Sequence, residues 1–397
     1  MLSQISTGQR AEPLLCTCGE PMDSHGVRPK RLLTILGAVE YERSMFRCPA
    51  CGATRYPGDE ALDVENTTRS PGLRRMMARA GSRSTFKEGR DDLQIYAGLR
   101  VSAKDLERVA EGIGESIEAW SQAERASLIA RASLPQIGPK IPVLYVSYDG
   151  TGIPMVPAAL RERDGKQADG TARTREVKLG CVFTQTRTDE KHRPIRDAGS
   201  TSFVGAIETA EEFGWRIYCE ALRRGLPRAQ RVVVLGDGAA WIRNLAETHF
   251  PQATQIIDLY HAREHVSDLC KLLFADQPQR LHWFRCRWWK ALDEGKVERI
   301  LSQAKKYLPQ EENSRKLVDT ELGYLEGNRS RMRYAAFRSQ GLFVGSGVIE
   351  AGCKTVIGQR LKQSGMEWSI RGANAIIALR CNLESGRFEE YWEARAA

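Results

Sequence analysis

Long hydrophobic runs are missing from this 397-residue chain. No apolar stretch approaches the ~20 residues that a membrane-spanning helix requires, which excludes a helical membrane protein. The opening residues, "MLSQISTGQRAEPLLC", lack the charged start and apolar centre of a secretory signal, so the expected location is the cytoplasm. Internal repeats and long low-complexity segments are also absent, which argues against a solenoid or a disordered tail. Acid is in short supply: 59 Lys and Arg face 50 Asp and Glu, a net charge of +9, and this favours a polyanionic partner. Ten cysteines in a chain of this length and expected location do not suggest a disulfide framework. What is there is globular: 42% hydrophobic and 27% charged residues, enough to build two or three domains.

Four of the cysteines crowd the first 51 positions. Cys16/Cys18 and Cys48/Cys51 bracket two β-like runs, "RLLTILG" and "VEYERSMF". Each pair is followed by glycine, Gly19 and Gly52, which lets backbone amides turn toward thiolates. Four soft sulfurs in a tetrahedral shell suit structural Zn²⁺. Cys-x-Cys is a tighter bite than Cys-x-x-Cys, and His25 is an alternative ligand; reduced thiols in a small hairpin are the competing reading. Cys181, Cys219, Cys270, Cys286, Cys353 and Cys381 are scattered, and each is expected to be a small buried hydrophobe.

Residues 66–133 carry helical spacing. A helix starts at "RSPGL", and Ser102 caps another whose apolar positions are Leu106, Val109, Ala110 and Ile113. Helix, glycine-containing turn, helix outlines a helix-turn-helix, an outline also common in plain bundles. Seven basic residues from Arg69 to Arg90 face one acid, and eight from Arg329 to Arg371 face two. Either cluster alone fits a solvated face; two of them around a candidate acidic site point to nucleic acid. "LPQIGPKIP" at 134–142 reads as a linker. Strand-like runs then follow: "IPVLYVSYD", "REVKLGCVFTQT" and "STSFVG", with "RVVVLGDG" and "TQIIDLYH" separated by helices. Set beside known architectures, three strands, helix, strand, helix, strand, helix is the order of an RNase H-like fold. Residues 275–342 read as an all-α insertion, with Trp283, Trp288 and Trp289 in its core. The fold class is therefore α/β. An RNase H-like core (140–274, completed by helices in 343–397) carries the all-α insertion and is preceded by a zinc ribbon (1–60) and the helix-turn-helix-like domain.

Two Asp-Gly pairs end strand-like runs, at Asp149 and at Asp237. Locally each is a turn signal, because both residues tolerate positive φ. In an RNase H-like sheet the first and fourth strands are neighbours, and both acids then reach one edge. With Glu350 on a late helix they make a set suited to two Mg²⁺ (or Mn²⁺) ions about 3.5–4 Å apart, one on the attacking and one on the leaving oxygen of a phosphodiester. Each has a plainer alternative: a turn for Asp149, a helix cap for Asp237, an i,i+4 ion pair with Lys354 for Glu350. Glu176, Glu264 and Asp258 are rival acids. Asp258 and His261, in "DLYH", lie where the fifth strand meets its helix and either contact phosphate or cap that helix.

"YDGTGIPM", "REVKLGCVFTQ", "LGDGAAWI", "DLYHAREH", "GSGVIEAGCK" and "RLKQSGMEWS" together resemble a bacterial insertion-sequence transposase of the Kra-type family, in the Mutator-like DDE group. The resemblance covers about residues 140–395. It implies a DNA transposase that cleaves element ends and joins the freed 3′-OH to target DNA, acting as a homo-oligomer on DNA. It places the metal-binding acids at Asp149, Asp237 and Glu350, a helical insertion before Glu350, and the Asp-x-x-His motif at Asp258 and His261. Arg74, Arg75, Arg79, Arg83, Lys354, Arg360 and Lys362 are the expected DNA contacts, and the protein would be nucleoid-associated when bound. The alternatives are a non-catalytic zinc-ribbon/helix-turn-helix DNA-binding protein and an RNase H-like nuclease that cuts without joining.

Overall fold

A computed structural model describes residues 13–131, 137–161 and 172–396. The chain forms two compact units, Met1–Ile117 with Phe388–Ala397, and Glu118–Arg387. The linker expected at 134–142 begins outside the described residues. Among the described residues, no helix is long and apolar enough to cross a membrane.

The first unit opens with an antiparallel pair, β1 (Asp23–Thr34) and β2 (Gly37–Arg47), joined at the Thr34–Gly37 closure and edged by the short β3 (Thr54–Arg55). A one-turn helix, α1 (Pro57–Ala61), supplies Asp59, which is buried. Burial of that carboxylate is offset by three partners: Lys30 at 2.7 Å, the Tyr41 hydroxyl at 2.7 Å, and Arg43. Three helices follow, α2 (Pro71–Arg83), α3 (Phe86–Ala97) and α4 (Ala103–Ala130). Their starts are written locally: Ser70 caps α2 ahead of Pro71, Thr85 and Glu88 form a capping box on α3, and Ser102 accepts from Asp105 N at 3.0 Å. Gly98, at φ +66°, ends α3. Leu73, Met77, Leu93, Leu99 and Leu106 pack between them. Helix α4 crosses from the first unit into the second.

The second unit is built on a five-stranded mixed sheet. Its strands are β4 (Ile141–Pro154), β5 (Thr174–Gln185), β6 (Ser202–Ala206), β7 (Ala229–Gly236) and β8 (Thr254–Ile257), in the order β8-β7-β4-β5-β6. β4, β7 and β8 run parallel, while β5 is antiparallel to both β4 and β6. Helices α5 (Ala210–Arg223) and α6 (Ala240–His249) close one face over Leu144, Val146, Tyr148, Val182 and Val234. Tyr145, next along β4, is buried on the other face and stacks on Phe183 at 4.8 Å. A strand covered on both faces reads as a nearly continuous apolar run, as "IPVLYV" does.

Beyond β8 come α7 (Leu259–Phe274), α8 (Pro278–Asp293), α9 (Val297–Ala304), α10 (Glu312–Asn328) and α11 (Tyr334–Ser339). Trp288 is wholly buried here, but Trp283 is 52% exposed, so the expectation that it belongs to the core is corrected. Helix α12 (Gly347–Gly352) continues through a π-helical turn, Cys353–Gly358, to Leu361. Helix α13 (Ile370–Glu384) completes this unit, and α14 (Phe388–Ala396) belongs to the first.

Candidate functional site

The parallel pairing of β4 with β7 carries Ser147 opposite Leu235. Two residues further along each chain stand Asp149 and Asp237. Asp149 is not a hairpin turn: β4 runs on through it to Pro154, with Asp149 opposite Leu179 and Gly150 opposite Lys178 of β5. Its Oδ1 accepts from Gly150 N at 2.7 Å, and its Oδ2 accepts from the Cys353 thiol at 3.6 Å. The glycine makes room for a neighbour, since a Cβ at Gly150 would lie 2.4 Å from Glu176 Oε1. Asp237 does sit in a turn. Its Oδ1 accepts from Ala239 N at 2.8 Å, its carbonyl accepts from Tyr324 Oη at 2.7 Å, and Gly238 adopts φ +92°.

Glu350 lies in the first turn of α12, one turn before Cys353, and its Oε1 accepts from Ser346 Oγ at 2.9 Å. No ion pair with Lys354 forms among the described residues. Asp258 joins two helix starts: fully buried, it accepts from His261 N at 2.8 Å to cap α7 and from Ser346 N ahead of α12. The ligand atoms of Asp258, His261 and Glu350 all lie within 4.8 Å of one another. They adjoin an open cavity of about 440 Å³ lined by Asp149, Tyr260, His261, Glu350, Lys354 and Lys362, among others. Of the rival acids, Glu264 is 3.3 Å from His261 Nδ1, and Glu176 is 2.9 Å from Lys178.

Burial pushes the Asp149 carboxyl above its ordinary value, and the negative charge of Asp237 adds to the effect; the Gly150 amide opposes it. Asp258 and Glu350 set hard carboxylate oxygens beside the His261 imidazole, a donor group that fits a divalent cation; Asp149 lines the same cavity but is not in that group, and Asp237 is in neither the group nor the cavity lining. Cys353 was not foreseen at this site. Burial and the adjacent Asp149 push its thiol up to about 12, which favours the protonated form that donates to Asp149. Its only sequence signal was its place one turn after Glu350.

The expected DNA contacts divide sharply. Lys354 and Lys362 are exposed on the cavity wall, and Lys362 donates to Thr151 Oγ1. Arg360 is fully buried with its guanidinium 5.0 Å from the Trp368 ring, and Arg74 is buried with Asp63 at 2.7 Å. Neither of these two presents itself to DNA, and the expectation is corrected for both. Arg75, Arg79 and Arg83 are exposed on α2; Arg75 pairs with Glu389, and Arg79 lies 5.9 Å from the Phe388 ring.

In the first unit, the Sγ atoms of Cys16, Cys18, Cys48 and Cys51 form a cluster within 4.8 Å. Cys16 to Cys51 and Cys18 to Cys48 are each 3.5 Å. A tetrahedron with metal–sulfur bonds of ~2.3 Å has edges of ~3.8 Å, so the four thiols fit one ion. Gly19 at φ +91° and Gly52 at φ +74° shape the two knuckles, donating to Cys16 O at 2.9 Å and Cys48 O at 3.0 Å. The Cys18 amide draws the Cys16 thiol down to about 6. Cys18 is pushed up to about 12: the Glu20 amide favours its thiolate, but the crowding sulfurs of Cys16 and Cys48 outweigh that. Crowding that raises the Cys18 and Cys51 thiols is relieved by a cation among the sulfurs. His25 is exposed on β1 and outside this cluster. Of the other cysteines, Cys181, Cys219, Cys270 and Cys381 are buried as expected, Cys353 is half-buried, and Cys286 is exposed.

Residues 207–393 match the model of an uncharacterised protein family, UPF0236. A UPF0236 protein of Caldanaerobacter subterraneus subsp. tengcongensis is 20% identical over 372 residues, 90% of this chain and 68% of that protein. A UPF0236 protein in the vanSb 3′ region of Streptococcus gallolyticus is 22% identical over 377 residues, 92% of this chain and 75% of that protein. Among solved structures, the Drosophila P element transposase strand transfer complex aligns at 9% identity over 81% of this chain and 80% of that chain, with a TM-score of 0.25. That score is too low to argue a shared fold. The chain is thus similar to UPF0236 proteins along nearly its whole length.

Proposed function

We propose that the protein is a DNA transposase with an RNase H-like catalytic core, in which Asp149, Asp237 and Glu350 hold Mg²⁺ or Mn²⁺ for phosphodiester hydrolysis and strand transfer. One observation carries the reading: β4 and β7, adjacent and parallel, carry Asp149 and Asp237 at equivalent register positions, and α12 sets Glu350 in the wall of the cavity that Asp149 also lines. The strand order and directions are those expected of an RNase H-like sheet. The name of the Caldanaerobacter relative joins eleven locus designations, and a second relative's name joins four. Many loci for one protein are what a mobile element leaves in a genome.

Bound divalent ions supply activation of the attacking oxygen and charge stabilisation on the leaving oxygen. The protein's own part is positional. Asp149 is fixed by a rigid strand, Glu350 by its bond from Ser346, and Asp258 ties the start of α7, and with it His261, to the start of α12. Lys354 and Lys362 hold phosphates at the cavity wall. The four-cysteine cluster binds a structural Zn²⁺, and with the helices of residues 66–133 it recognises the terminal inverted repeats.

The test is cleavage of linear DNA carrying the genomic sequence that flanks the gene. Asp149→Asn, Asp237→Asn and Glu350→Gln are each expected to abolish Mg²⁺-dependent cleavage while leaving binding intact. Unchanged cleavage in all three overturns the assignment. Nicked DNA with no joined product would favour a nuclease, and binding with no cleavage by the unaltered protein would favour a DNA-binding role alone.

A further inference from the structure

Tyr260 is the second residue of α7 and stands in the wall of the carboxylate cavity, beside His261. It is 62% exposed. The ring is nevertheless supported. Gly345, in the loop before α12, lies close to the ring edge: a Cβ added there would stand 3.4 Å from ring Cε2. That loop is itself held, because Leu259 N donates to Val344 O at 2.9 Å. Along the next turn, the Arg263 guanidinium lies 6.0 Å from the Tyr260 ring and 5.5 Å from the Trp289 ring. Arg263 is anchored in turn by Asp293 at 2.6 Å. Trp289 Nε1 donates to Arg263 O at 3.2 Å. The aromatic ring thus has the Arg263 guanidinium over it, held in place by Asp293, and is otherwise largely open to solvent in a cavity that Lys354 and Lys362 also line.

An open ring beside cations is a stacking platform, because every nucleic-acid base has a π face and its phosphate seeks positive charge. We propose that Tyr260 stacks an unpaired DNA base next to the phosphate held in the carboxylate cavity, and so sets which phosphodiester reaches the acids. This rests on the transposase reading. It makes Tyr260 a positioning residue, with Arg263 steadying its ring.

The test uses the full chain and two synthetic probes: a DNA duplex with a short 3′ single-stranded extension, carrying either 2-aminopurine or an abasic site at the first unpaired position. Tyr260→Ala is expected to bind the 2-aminopurine probe about 10- to 100-fold more weakly, the range that base–aromatic stacking gives. On the abasic probe it should bind as the unaltered protein does. Tyr260→Phe should keep both the affinity and the fluorescence quenching. An equal loss on both probes, no loss on either, or failure of the unaltered protein to bind either probe overturns the proposal. Asp149→Asn, measured alongside, separates the two ideas. If cleavage in Mg²⁺ survives that change, the catalytic reading falls; the base-dependent loss at Tyr260 is judged by binding alone.

Discussion

At the scale of single residues, Asp149 places a cost on the folded protein. Its carboxyl is more basic folded than unfolded, because it is buried and faces Asp237. The folded state therefore binds more protons in that window, and the metal-free protein loses stability as pH rises from the ordinary carboxylate range through the raised value. Asp149→Asn removes the charge and keeps the shape. At pH 7 it should raise the metal-free melting temperature by about 1–3 °C, while Mg²⁺ should raise the melting temperature of the unaltered protein and not of the variant. Differential scanning fluorimetry with and without Mg²⁺ checks both; an equal response to Mg²⁺ would remove Asp149 from the metal site. Asp258 predicts the opposite sign. Asp258→Ala strips two backbone amides of their acceptor and should cost about 2–4 kcal/mol in urea unfolding. The register that sets Asp149 beside Asp237 was legible in the sequence because each follows an apolar run. The burial of Arg360 was not, since it depends on Trp368 reaching it through the fold.

At the scale of elements, local chemistry and tertiary pairing part company at the two Asp-Gly sites. Gly238 takes the left-handed turn that its dipeptide suggests, whereas Gly150 stays extended because β5 offers pairing partners past Asp149. No window of ten residues contains β5, so the turn signal at Asp149 was the better local reading and still wrong. Helix caps behaved differently: Ser70, Ser102 and Ser369 all start helices as their sequences imply, because a cap is a contact within four residues. The cysteine knuckles were equally readable, and their prediction is stoichiometric. Zinc released by thiol modification should equal about one ion per chain, and Cys48→Ser should abolish it and lower the thermal stability of the ribbon. Retention of a full equivalent by that variant would show that the metal is held elsewhere.

At the scale of the whole molecule, net charge is a blunt guide and its placement a sharper one. Lys354 and Lys362 stand exposed on the cavity wall. If each holds one phosphate, Lys354→Ala and Lys362→Ala should each lower the slope of log affinity for duplex DNA against log salt by about 0.9. A salt titration by fluorescence anisotropy reads this directly, and unchanged slopes would place those lysines off the DNA. The buried Asp258 has a consequence for how the protein comes into being. Its carboxylate reaches forward to Ser346, and Asp149 meets a thiol 204 residues later in the chain. On the proposed assignment, a ribosome that has released the sheet and the helical insertion has made no complete centre. Glu350 arrives only late in synthesis, so on that assignment a chain cut short after the insertion is expected to be inactive.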